Sequence, residues 1–92
     1  MQFVIHSHDN ADGGARRAEL RPAHHAYIDD HTDIIVTRGP LFDDDGAKVI
    51  GRVLILDVAN RGEAEAFWNN EPFNRAGFYE RTTIERWRFG HV

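Results

Sequence analysis

Three side chains with acid–base or hydrogen-bonding chemistry, Arg21, His24 and Tyr27, follow one another at helical spacing. Successive residues of a helix are turned by about 100°, so His24 and Tyr27 lie on the apolar stripe that begins at Leu20, whereas His25 points away. A neutral imidazole accepts a proton near neutral pH, a guanidinium binds an anionic oxygen, and a phenol donates a hydrogen bond. The functional interpretation of this group is acid–base chemistry centred on His24.

Each of these residues also has a structural interpretation, and the pattern leaves both open. A partly buried histidine can donate to a backbone carbonyl, an arginine can form a surface ion pair, and a tyrosine can pack in the core with its hydroxyl at the rim. The choice depends on whether a cavity and an acidic partner meet the imidazole of His24.

Six histidines in a chain of this length raise the question of a metal site. His6 and His8 alternate onto one side of a predicted strand, while His24 and His31 are two helical turns, about 10 Å, apart. Imidazole suits zinc or copper, but the sequence contains no His-x-x-x-His pair and no other recognised ligand spacing. We therefore expect no bound metal.

The composition limits the class of protein. The 92 residues predict a single domain over residues 1–92, and an apolar content of 41% is enough to form a core. Fifteen acidic residues against eleven basic ones give a net charge of −4, which argues against nucleic acid as a partner. The chain has no cysteine, and no apolar run approaches the roughly 20 residues that span a bilayer. We expect a cytoplasmic protein that binds neither nucleic acid nor membrane.

Strand and helix patterns alternate along the chain in the order βαββαβ. The predicted elements are a strand at 1–7, a turn at 9–14, a helix at about 15–30, a hairpin of strands 34–37 and 49–58 around a turn at 43–46, a helix after Asn60, and a strand at 78–89. Pro22 predicts a kink or a second helix start. Gly39 and Pro40 are expected to stop the second strand, and Tyr79, Thr83 and Trp87 to share one face of the last strand.

The predicted order is that of a split βαβ domain of the α+β class, with both helices on one side of an antiparallel sheet. The chain's own helices leave the other side of the sheet bare. Apolar residues point to both sides of the first and third strands, so something is expected to cover that face. A small domain without disulfides gains stability from burying such a face against a second copy, and we predict a homodimer.

Residues along almost the whole chain resemble the YciI-like (YCII-related) family. The resemblance is carried by Asp9, Arg17, Arg21, His24, Tyr27, Gly39-Pro40, Asp44-Asp45-Gly46, Gly51, Pro72-Phe73, Ala76-Gly77 and Trp87. The most specific parts are Arg-x-x-His-x-x-Tyr on the first helix and a near Asp-Pro-Phe-x-x-Ala-Gly segment before the last strand. The resemblance implies a single YCII-related domain with a ferredoxin-like fold that pairs through its sheets as a dimeric α+β barrel.

For chemistry, the resemblance implies a pocket centred on a histidine and an aspartate, which act in some relatives on chlorinated hydroquinone-type rings. The histidine corresponds to His24. At the Asp-Pro-Phe motif this chain has Glu71 before Pro72. The longer side chain of Glu71 either reaches a different point than the aspartate of the motif would or only caps the turn. Glu71 is also a candidate for substrate binding. Asp9 matches the aspartate that follows the first strand, and it is the preferred partner for orienting His24.

Two functions of different classes follow. The first is a lyase- or isomerase-like enzyme without a cofactor, with His24 and Asp9 as catalytic residues and Arg21 or Tyr27 steadying negative charge on a small cyclic or aromatic hydroxylated compound. The second is a non-catalytic dimeric module that binds a small ligand or a protein partner. An acidic residue within hydrogen-bond reach of His24 favours the first.

Overall fold

The computed structural model describes residues 1–11 and 13–91, which form four strands and three helices. In chain order the elements are β1 (Gln2–Asp9), α1 (Gly13–Asp29), β2 (Ile35–Phe42), β3 (Val49–Asp57), α2 (Arg61–Asn69), α3 (Pro72–Arg75) and β4 (Tyr79–Trp87). The predicted order βαββαβ is confirmed, with α3 as a short addition before the last strand. Asp12, in the predicted turn, and Val92 lie outside the described residues.

The four strands form one antiparallel sheet in the order β2-β3-β1-β4, with the first and third strands of the sequence in its centre. This is the split βαβ arrangement, and it confirms the predicted α+β, ferredoxin-like class. The pairing of two such sheets as a dimeric α+β barrel stays a prediction.

One side of the sheet, the helix face, holds the core. The register places Ile5 of β1 between Leu54 of β3 and Ile84 of β4, and Phe3 opposite Leu56, so their side chains point to the same side. Ile28 of α1 and three residues of α2 complete the buried cluster: Ala64, Phe67 and Trp68. Both helices therefore derive their stability from apolar residues buried on this face.

The other side of the sheet, the open face, carries no helix of the described chain. Val4, Val53 and Ile55 point to it, and all three are only partly buried. His6 and His8 lie on the same side, as their alternation predicts, with ring centroids 4.8 Å apart. The open face is thus a partly apolar surface of the single chain.

The second strand is longer than the sequence predicted. Gly39 and Pro40 were expected to end it, but β2 continues through both and Pro40 is in register with Arg52 of β3. Proline has no N–H to donate, and an edge strand needs donors on one side only. Because β2 is an edge strand, the proline is accommodated and the strand extends to Phe42.

A bulge in β4 changes the direction of one predicted face. His8 pairs with Arg81 but the next residue, Asp9, pairs with Tyr79, so β4 holds one extra residue at this point. Tyr79 consequently packs on the helix face, with its ring 5.2 Å from that of Trp68. The prediction that Tyr79 shares a face with Thr83 was wrong, because strict alternation fails at a bulge.

The helix α2 begins where local chemistry predicts. Asn60 caps α2 by accepting a hydrogen bond from the Glu63 N–H at 2.9 Å, while the Glu63 carboxylate accepts from the Ala59 N–H at 3.0 Å. Pro22 lies inside one continuous α1 and does not begin a second helix.

Across the described residues, every helix is too short or too polar to cross a bilayer.

Gly51 lies where the central strands β1 and β3 approach closely. Substitution of this residue therefore tests the packing of the two strands. A Cβ at this position would collide with the Ser7 carbonyl oxygen and stand 3.2 Å from His8 Cα. We expect Gly51→Ala to lower the free energy of unfolding by about 3 kcal/mol, measured by urea denaturation.

The matched control is Gly39→Ala in β2, where a Cβ meets nothing within 4 Å. This variant is expected to change stability by no more than about 0.5 kcal/mol. Equal stability of the two variants would contradict the close approach of β1 and β3.

Candidate functional site

A buried hydrogen bond between His24 and Glu71 joins α1 to the segment before α3. His24 Nδ1 lies 2.5 Å from Oε1 of Glu71, and the side chains are 3% and 0% exposed. An ionised carboxylate only accepts hydrogen bonds, so Nδ1 carries the proton and donates it to Glu71. The ring nitrogen that remains for other chemistry is Nε2, to which no described side chain or backbone group is hydrogen-bonded.

Glu71 reaches this position because it also begins a helix. It is the N-cap of α3, and its second oxygen, Oε2, accepts a hydrogen bond from the Asn74 N–H at 2.8 Å. Pro72 at the first helical position fixes the backbone there. The Asn74 side-chain amide donates to the Trp68 carbonyl at 2.8 Å, which ties α3 to α2. Both carboxylate oxygens of Glu71 therefore accept a hydrogen bond, one from the backbone N–H of Asn74 in α3 and one from His24.

An aromatic stack fixes the plane of the imidazole. The His24 and Phe73 rings are 4.2 Å apart and within 13° of parallel, and Phe73 stacks in turn on Phe78 at 4.9 Å. The Arg17 guanidinium lies 5.5 Å from the centre of the Phe73 ring. The imidazole can thus neither turn about the Glu71 contact nor tilt away from it without breaking the stack.

His24 forms part of the wall of a cleft of about 380 Å³ between α1 and the β2–β3 edge of the sheet. Arg38 and Arg52 project into it from the two strands, and the rest of the lining is His25, Ile28, Asp29, Gly39 and Pro40. The site thus combines a fixed imidazole, a buried carboxylate behind it and two guanidinium groups.

Asp9, the predicted partner of His24, occupies a different place. Its Oδ2 accepts a hydrogen bond from Arg17 Nη2 at 2.6 Å, and Glu71 has the position at the imidazole. The expectation that Asp9 orients His24 was wrong, because the chain turns at the end of β1 and brings Asp9 to Arg17 instead. Asp9 Oδ1 and Arg17 Nε are both buried without a hydrogen-bond partner among the described residues. Asp9 and Arg17 line a second cleft, of about 540 Å³.

The other two predicted binding residues lie away from the cleft. Arg21 is exposed on α1 and is absent from the residues that line the cleft. The Tyr27 hydroxyl donates to the Phe67 carbonyl at 2.6 Å and so joins α1 to α2. Burial, and after it the negative charge of Glu71, raise the pKa of Tyr27 above its ordinary value of 10.0. Tyr27 therefore stays a neutral hydrogen-bond donor.

Tyr79 is a neighbour of the site that sequence reasoning did not single out. Burial raises the pKa of its hydroxyl, and the negative charge of Glu71 raises it further, while Arg52 opposes the shift. Its hydroxyl therefore stays protonated and neutral. The bulge that turns Tyr79 inward has no sequence signal that alternation alone could reveal.

Arg38 and Arg52 were also missed. Arg38 lies in β2 just beyond the predicted strand 34–37, and the position of Arg52 beside it depends on the register of β2 against β3, which the sequence did not predict. The available signal was the single basic residue inside the otherwise apolar run of β3. Among the described residues, no group of three or more histidine, aspartate or glutamate side chains is arranged to hold a metal ion.

Comparisons with known proteins agree on one family. A family profile described as "YCII-related domain" matches residues 1–88. The chain is 29% identical over 92 residues to Protein YciI of Escherichia coli O6:H1 and, to the same degree, of Shigella flexneri, covering 92% of this chain and 94% of each relative.

Among solved structures, the chain is similar to 5-chloro-2-hydroxyhydroquinone dehydrochlorinase (TftG) from Burkholderia phenoliruptrix AC1100, in complex with 2,5-dihydroxybenzoquinone. The TM-score is 0.87 at 30% identity, and the match covers 98% of this chain and 96% of that one. The likeness therefore extends over the full set of elements, including those that form the cleft.

The double use of Glu71 predicts an unusually large loss of stability on its removal. Glu71→Ala removes a helix cap and also leaves the buried Nδ1 of His24 without an acceptor. We expect the free energy of unfolding to fall by about 3 kcal/mol. Asn60→Ala, which removes only a cap, is the matched control and is expected to lose about 1 kcal/mol. Equal losses in urea denaturation would contradict the double role.

The raised pKa of Tyr79 predicts sensitivity to alkali. Its folded-state pKa lies above the unfolded value, so the folded state keeps a proton that the unfolded state loses, and stability falls as the pH rises above about 10. We expect this fall to be smaller in Tyr79→Phe than in the native chain, measured by urea denaturation between about pH 8 and about pH 11. Identical slopes in the two proteins would show that burial does not perturb this hydroxyl.

Proposed function

We propose that this chain, which belongs to the family of YCII-related domains, is an enzyme that transfers protons on a small hydroxylated ring compound, with His24 as its acid–base group. The observation that carries the proposal is the buried His24–Glu71 pair in the wall of a cleft. The similarity to TftG, named as a dehydrochlorinase of a hydroxyhydroquinone, supports the substrate class.

The geometry supports a defined sequence of proton movements. Donation from Nδ1 to Glu71 leaves the lone pair of Nε2 to accept a proton from a substrate hydroxyl or carbon. The imidazolium that results is stabilised by the carboxylate 2.5 Å away. In an isomerase the proton returns to another carbon. In a lyase the released electron pair expels a leaving group, so that the substrate loses a proton and an anion such as chloride.

Asp9 takes a supporting role in this proposal. Its ion pair with Arg17 holds the guanidinium beside Phe73, and Phe73 stacks on the catalytic imidazole. Asp9 is therefore a positioning residue, three contacts away from the imidazole of His24. Arg21 and Tyr27 have no proposed contact with the substrate, because one is exposed outside the cleft and the hydroxyl of the other is bound to a carbonyl.

A homodimer is part of the proposal. The open face presents Val4, Val53 and Ile55, which a single chain leaves partly exposed, and a second sheet would cover them. The lining of the cleft beside His24 comes from α1 and the helix-facing side of the β2–β3 edge, so two sheets joined through their open faces would leave that cleft accessible to substrate.

The second candidate is a non-catalytic module that binds a small ligand. It is favoured by one observation, the burial of His24, whose side chain is only 3% exposed and is stacked on Phe73. In this alternative the hydrogen bond between His24 and Glu71 holds α1 to α3, and the cleft binds a ligand without changing it.

Replacement of the imidazole separates the two candidates. We expect His24→Asn to lower the kcat/KM for 5-chloro-2-hydroxyhydroquinone, or for another hydroxylated ring found to be a substrate, by about 10²-fold to 10⁴-fold, because the proton acceptor is lost. His91→Asn, at an exposed histidine near the end of the chain, is the control and should retain full activity. Turnover by a folded His24→Asn protein at the native rate would overturn the proposal.

A further inference from the structure

We propose that the cleft beside His24 selects ring compounds that are anions at neutral pH, and that Arg38 and Arg52 bind their charged oxygens. The inference rests on the proposed function for the identity of the site. It extends that function by naming the charge of the substrate and the residues that recognise it, and it concerns binding rather than proton transfer.

The strand register places the two arginines on neighbouring positions of the sheet. Arg52 is in register with Pro40, and Leu54 is in register with Arg38. Arg38 and Arg52 are therefore diagonal neighbours on the helix face of the sheet, with side chains rooted about 7–8 Å apart. Both line the cleft that contains His24. Like charges on neighbouring positions repel each other, and an anion bound between them offsets that repulsion.

Neither the Arg38 nor the Arg52 side chain forms a hydrogen bond or an ion pair within the described part of the chain. Arg17 and Arg61, by contrast, form ion pairs with Asp9 and Glu65. The one carboxylate in the lining of the cleft, Asp29, is exposed and forms no ion pair with either arginine. The lining of the cleft thus holds two guanidinium groups and one carboxylate, and the carboxylate of Glu71 lies behind His24, in a protein whose overall net charge is −4. An anionic ligand in this cleft therefore meets two guanidinium groups that form no ion pair within the described residues.

The chemistry of the two groups narrows the ligand. A guanidinium presents parallel donors that fit the paired oxygens of a carboxylate or of a deprotonated hydroxyquinone. Arg52 is half-buried, and its charge acts on the Tyr79 hydroxyl as well as on the cleft. A volume of about 380 Å³ suits a single substituted ring. The ligand class is accordingly a one-ring compound with an ionised carboxyl or an acidic ring hydroxyl.

Calorimetric titration with matched ligands tests the inference directly. The two anionic probes are 2,5-dihydroxybenzoquinone, whose hydroxyls are acidic through conjugation to the carbonyls, and 2,5-dihydroxybenzoate, which carries a carboxylate. Hydroquinone is the neutral ring of similar size. We expect the native protein to bind at least one anion about tenfold more tightly than hydroquinone, and the tighter anion identifies which type of oxygen is recognised.

Variants assign the preference to the two arginines. Arg38→Gln and Arg52→Gln are each expected to weaken binding of the preferred anion about tenfold and to leave hydroquinone binding unchanged. Arg88→Gln, at an exposed arginine after β4, changes the net charge equally and is expected to have no effect on either ligand. Circular dichroism of each variant confirms that it is folded.

Two results would overturn the inference: equal affinity of the native protein for anions and hydroquinone, or anion binding in both arginine variants within about threefold of native. The His24→Asn variant keeps this outcome separate from that of the proposed function. If its turnover is native while the arginine variants lose the anion, the enzymatic proposal fails and anion selection stands. If its turnover is lost while the arginine variants bind normally, the reverse holds.

Discussion

The hydrogen bond between His24 and Glu71 is the contact on which the arrangement of the site depends. It joins a helix near the start of the chain to a turn near its end, across 47 residues of sequence, and it is buried at both ends. Removing two such groups from water is unfavourable unless each finds a partner. Because both oxygens of Glu71 and the Nδ1 of His24 are satisfied, the pair is tolerated in the core and fixes where the remaining nitrogen of the imidazole lies.

The same pair explains why so short a helix as α3 persists. Four residues form too few internal hydrogen bonds to be stable alone. Here the helix is held at its start by Glu71 and against α2 by Asn74, and its Phe73 is buried between His24 and Phe78. The site and the local fold are therefore not separable, since the residues that orient the imidazole also shape the backbone around it.

Sequence reasoning predicted the parts of the fold that depend on local patterns. The order of elements, the cap at Asn60 and the buried side of α1 that carries His24 all follow from periodicity and capping chemistry. The choice of Glu71 over Asp9 could not be made, because it depends on how a distant turn packs against α1. The proposed role of Arg52 could not be predicted either, because it depends on the register of β2 against β3. The predictions that failed depend on contacts between distant parts of the chain, and the prediction for Tyr79 failed because β4 contains a bulge.

The proline in β2 has an effect on how the protein behaves at high concentration. An exposed edge strand offers unpaired backbone groups on which another molecule's strand can add, and repetition of that step builds aggregates. Pro40 interrupts the row of donors on one edge of the sheet, and charged side chains such as Glu80 and Arg86 crowd the strand at the other. Addition of another molecule's strand is therefore disfavoured at both edges of the sheet. The protein is accordingly protected from aggregation through its edge strands.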